Sequence, residues 1–143
     1  MAVVIERRYS DAIHPMHATF VAGTIPLFLG ATLCDLAYGR TFEIQWSNFA
    51  SWLVVGGLIF TTLSILCALA DLFRAHKRAP GIGVYFVLLL GLWVLGFFDA
   101  LMHARDAWAM MPGGLVMSAL TTVLACVVTW LAMRRPRIEG ALA

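Results

Sequence analysis

Apolar positions along the chain gather into four long runs, Met16–Tyr38, Phe49–Phe73, Gly83–Met102 and Gly113–Met133. A helix needs about 20 mostly apolar residues to cross the hydrocarbon of a bilayer, and each run reaches that length. The breaks between them are short and punctuated. "YGRTFEIQWSN" is polar and contains Gly39, "RAHKRAPG" is basic and ends in Pro80-Gly81, and "HARDAWAMMPGG" ends in Pro112-Gly113-Gly114. Backbone polar groups inside lipid must be satisfied within the segment, so the runs are predicted to be helices. Short connections make sequence neighbours antiparallel. The expected fold is an all-α, integral membrane four-helix bundle with up-down-up-down topology, a single transmembrane domain over residues 1–143.

Composition agrees with this. The chain is 62% hydrophobic and 13% charged, with a mean hydropathy of +0.87. Soluble domains carry about 25% charged residues, so this chain lacks the polar surface a soluble fold would need. The first 17 residues, "MAVVIERRYSDAIHPMH", set a basic pair beside Glu6 and Asp11 ahead of a run long enough to span. That is unlike a cleaved leader, and the first helix is expected to be retained. Cys34, Cys67 and Cys126 lie in separate apolar runs with no CxxC, which suits small buried hydrophobes and gives no disulfide framework.

The placement of basic residues sets an orientation. Arg7, Arg8, Arg74, Lys77, Arg78, Arg134, Arg135 and Arg137 fall on one side, against Arg40 and Arg105 on the other. By the positive-inside rule both termini face the cytoplasm of an inner (cytoplasmic) membrane. Trp46, Trp52 and Trp108 near predicted helix ends suit the interface. No basic run interleaved with aromatics points to nucleic acid. The expected partners are the lipid bilayer and either further copies of the chain or other membrane subunits. Thr121, Ala125 and Thr129 form a small-residue stripe on the last helix, which serves contacts within the bundle or between subunits equally well. Pro26 should free the carbonyl of Ala22 and bend the first helix. Gly56-Gly57 reads as a close-packing point.

Ionisable groups inside spans need an explanation. Asp35, Asp71 and Asp99 lie near helix ends, each followed by a basic residue, Arg40, Arg74 and Arg105. The plain expectation is an interfacial acid near its own arginine. Two sharper groupings are open. On the cytoplasmic side, His14 and His17 open the first helix while Asp71 and His76 close the second. Imidazole and carboxylate together suit a transition metal, and histidines on membrane helices can hold haem b. His14 precedes Pro15, however, and is also placed to cap the helix, with proline at its first position. On the opposite side, Asp99 and His103 are four apart on one face, with Asp35 at similar depth, an arrangement for a proton or ion. No serine sits in a nucleophile elbow, and there is no HExxH or phosphate loop, so catalysis has little support. The segments "LGATLCDLAYGR" and "LGFFDALMHAR" share a loose Leu-Gly, Asp, Arg order that hints at a two-plus-two parallel repeat.

The pairs His14-Pro15, Asp35-Leu36, Trp52-Leu53 and Asp71-Leu72 resemble a bacterial family of four-helix membrane proteins known as domain of unknown function 2231. By spacing to Asp35, His17 is the better counterpart of the family's histidine. The chain departs from the family in lacking a histidine near the start of helix three and in ending helix four with "VVTWLAMRRPR". The resemblance implies a membrane protein associated with redox enzymes, and no mechanism. Three functions are therefore expected: a small non-enzymatic subunit or accessory partner of a membrane complex; a haem- or metal-binding redox-linked protein using His14, His17, Asp71 and His76; and a proton- or ion-handling oligomer using Asp35, Asp99 and His103.

Overall fold

The computed structural model describes residues 14–74 and 82–133. They form helices α1 (Pro15–Thr41), α2 (Ile44–Arg74), α3 (Ile82–His103), the single turn α4 (Ala107–Met110) and α5 (Gly113–Met133). Four of these, α1, α2, α3 and α5, are long and apolar enough to cross a membrane by length and composition. The all-helical membrane bundle read from the sequence is what the chain forms.

The first break is much shorter than the polar run suggests. α1 continues to Thr41 and α2 begins at Ile44, with Phe42 between them in the left-handed region at φ 58°. The Phe42 N–H donates to the Tyr38 carbonyl at 2.8 Å and closes α1. Hydropathy marks only the stretch that matches the hydrocarbon, whereas a helix continues for as long as its hydrogen-bond ladder does. The 27 residues of α1 amount to about 40 Å of helix. At the other end, Pro15 opens α1 behind His14, whose Nδ1 accepts from the Met16 N–H at 3.3 Å.

α1 packs along α2 and α5, and α3 packs along the same two, so α1 and α3 face one another across the diagonal of the bundle. Their register is constant. His17 meets Tyr85 and Asp35 meets His103 at the same separation of 68 residues, and the Phe28 ring lies against Gly96 at that offset too. α1 and α3 therefore run in the same direction. α2 and α5 run against them: His17 near the start of α1 approaches Asp71 near the end of α2, while Asp35 near the end of α1 bonds Ser118 near the start of α5.

The bundle is apolar outside and partly polar inside. Leu33, Ile59, Val87 and Val123 are each more than half exposed, whereas Asp35, Asp99, Thr24, Thr61, Ser118 and Thr121 are fully buried. Water would not tolerate that distribution, and a bilayer favours it. At mid-depth the buried Phe28 ring is seated on Gly57 and Gly96, where an added Cβ would fall 2.6 and 3.3 Å from ring atoms. This is the close packing expected of Gly56-Gly57. α1 runs unbroken through Pro26. One residue before the carbonyl that proline deprives of its amide, Val21 O accepts hydroxyls from Thr24 at 2.6 Å and from Thr129 of α5 at 3.0 Å. The neighbouring helix α5 thus adds one hydroxyl to α1 a residue away from the interruption. The Thr121, Ala125, Thr129 stripe is buried inside the bundle.

Candidate functional site: two buried polar clusters at opposite ends

The interior residues of α1 are His17, Val21, Thr24, Phe28, Ala31, Asp35 and Tyr38. Spaced three and four apart, they form one helical face, so His17 and Asp35 turn inward by the same periodicity that buries Phe28. Eighteen residues, five full turns, separate them, or about 27 Å of helix. Each therefore stands near one edge of the hydrocarbon, and each is met there by α3.

At the Asp35 end, His103 is the centre. Its Nε2 lies 2.9 Å from Asp35 Oδ1. Its Nδ1 lies 2.9 Å from the main-chain carbonyl of Asp99 and 3.2 Å from Asp99 Oδ1. A carbonyl can only accept, so Nδ1 carries a hydrogen and the tautomer is fixed. One proton then lies between Nε2 and Asp35. The Ser118 hydroxyl donates to Asp35 Oδ2 at 2.6 Å, the short length of a bond to a charged acceptor. Asp35 is thus bound on both oxygens. Asp99 is not: it is fully buried, and neither of its carboxyl oxygens has a hydrogen-bond partner among the described residues. With both carboxyls ionised and His103 protonated, the cluster carries one net negative charge in a low-dielectric interior. It is one proton short of neutrality.

At the other end, His17 is 1% exposed. Its Nε2 lies 2.7 Å from the Tyr85 hydroxyl, and its Nδ1 faces Asp71 Oδ2 at 3.6 Å without a hydrogen bond. The Asp71 side chain is 44% exposed, so this cluster grades from the bundle surface to its interior.

These placements sort the residues singled out in the sequence. Asp35, Asp99 and His103 come together as one site. His17 and Asp71 approach each other, but His14 does not join them; its exposed ring is turned to the Met16 amide. His76 lies outside the described residues. Among the described residues, no group of three or more His, Cys, Asp or Glu side chains is placed to hold a metal ion. The expectation of an interfacial acid beside its own arginine is corrected for Asp35 and Asp99. Arg40 follows Asp35 by five residues on α1, which points it to another face, Arg105 lies beyond the end of α3, and both arginines are exposed. Nor does the loose repeat hold to the residue, since the register sets His103, not Asp99, opposite Asp35.

Two residues of these clusters were not picked out as site residues in the sequence. Ser118 sits in an apolar run with no nucleophile pattern around it. Tyr85 sits in the first turns of α3, and its signal is general: a tyrosine that buries its ring inside a span needs a partner for its hydroxyl.

No curated protein and no solved structure matches the chain. Residues 13–134 match the family described as "Predicted membrane protein (DUF2231)", a span that takes in all four long helices and both polar clusters. The chain belongs to the DUF2231 family of predicted membrane proteins.

Proposed function

We propose that this is a small non-enzymatic membrane protein that binds and releases a proton at the Asp35–His103–Asp99 cluster, acting as a subunit or accessory partner of a membrane complex. The observation that carries the reading is Asp99, a fully buried carboxyl that forms no hydrogen bond among the described residues and has the ring of His103, already shared with Asp35, as its charged neighbour at 3.2 Å. One imidazolium cannot balance two buried carboxylates, and burial of the uncompensated charge favours its taking up a proton. Asp35 is already held by His103 and Ser118, so the exchangeable proton belongs to Asp99. The skew of basic residues, eight against Arg40 and Arg105, supports the cytoplasmic membrane with both termini inside. It would set this cluster toward the non-cytoplasmic face.

The test is infrared difference spectroscopy on the protein in lipid as pH is changed. A carbonyl band of a protonated, buried carboxyl should appear in the wild type and vanish in Asp99→Asn. An unchanged carboxyl region in that variant would remove the reading.

A further inference from the structure

We infer that Asp71, His17 and Tyr85 form a second proton-exchange site, opening at the opposite end of the bundle from Asp99. The inference deepens the proton-handling reading above and rests on it. Its basis is a difference between the two histidines. The Nδ1 of His103 is locked as a donor by a main-chain carbonyl. Nothing locks His17. Its Nε2 is paired with a hydroxyl at 2.7 Å, and a hydroxyl both donates and accepts. When the Nε2–H donates to the Tyr85 oxygen, Nδ1 is a bare lone pair, buried and without a hydrogen bond, and it faces the Asp71 carboxylate at 3.6 Å.

That geometry receives a proton without breaking the hydrogen bond between Nε2 and Tyr85. A proton taken up by the half-exposed Asp71 passes from its carboxyl oxygen to Nδ1. This leaves Asp71 as a carboxylate beside an imidazolium, with the Nε2–H to Tyr85 bond kept throughout. The reverse step returns the proton to the surface. The groups facing His17 are Asp71 on α2 and Tyr85 on α3, with Cys67 of α2 close to Tyr85. The exposed His14 lies one turn away on α1 itself. The described part of α5 carries no charged side chain.

The experiment is solid-state NMR of protein with 15N-labelled histidine rings in lipid bilayers, titrated through and below the ordinary imidazole range. The His17 signal, assigned by its loss in His17→Gln, should pass from neutral to imidazolium as the pH falls. Asp71→Asn should cut the imidazolium-to-imidazole ratio at a given pH by about tenfold, the effect of losing one adjacent opposite charge. Tyr85→Phe should keep the titration and change the neutral tautomer. A His17 ring held in one neutral tautomer at every pH at which the bundle stays folded would overturn the inference. So would a ratio indifferent to Asp71→Asn in a protein whose helix content is unchanged. The Asp99 carboxyl band, recorded on the same samples, separates failure of this site from failure of the proposed function.

Discussion

His103 and Asp35 stand 2.9 Å apart across the diagonal of the bundle, on helices that pack chiefly against other partners. Their pairing closes one end of the α1–α3 diagonal as Tyr85 and His17 close the other. Removing Asp35 should leave one nitrogen of His103 unpartnered and the Ser118 hydroxyl with only its 3.2 Å bond to the Leu115 carbonyl. Asp35→Ala is expected to lower stability by about 3 kcal/mol, the low end for breaking a buried charged pair, because helices separated within lipid find other partners. Equilibrium unfolding in mixed micelles measures it.

Ser118→Ala should be milder. It deletes the 2.6 Å bond to Asp35 Oδ2 and leaves His103 in place, for an expected loss of about 1 kcal/mol. In the same unfolding assay, the double variant with Asp35→Ala should lose less than the sum of the two, since the hydroxyl and the carboxylate act on one another.

Gly57→Ala tests the seat of Phe28. Its new Cβ would lie 2.6 Å from ring atoms of a fully buried phenylalanine, so ring or helix must move, at about 1–3 kcal/mol. Gly91→Ala is the matched control, with nothing within 4 Å of the added carbon. It should be neutral or slightly stabilising, because alanine is the better helix former. Equal losses in both would mean that the Phe28 contact does not limit helix approach.

Thr129→Val removes the hydroxyl that α5 sends to the Val21 carbonyl beside Pro26. The Thr24 hydroxyl remains on that carbonyl, so the loss should be about 0.6 kcal/mol, an ordinary interhelical hydrogen bond in a membrane protein. A much larger loss would assign Thr129 a heavier share in holding α5 against α1.

His14→Ala separates the cap from a ligand role. With its ring turned to the Met16 amide, the substitution should leave the absorption spectrum and metal content of the purified protein unchanged. Stoichiometric metal or a Soret band lost in both His14→Ala and His17→Ala would bring back the ligand reading of the two histidines.

By itself the sequence determined the four spans, the helical class, the membrane setting and the family. All four follow from one-dimensional quantities: run length, backbone satisfaction in lipid, and short paired motifs. It also indicated that Asp35, Asp99 and His103 sit on the same side of the membrane, because depth is set by position along a helix of known rise. Which groups touch was decided only by the tertiary structure. Asp35 turned to His103, 68 residues away, and not to the arginine that follows it, because helix rotation is fixed by packing such as Phe28 on Gly57 and Gly96. Tyr85 became the partner of His17 for the same reason. Hydropathy measures how deep a residue lies and carries no information about the direction in which it faces. That direction, set by side chains meeting across the bundle, is what turned scattered polar residues into two sites.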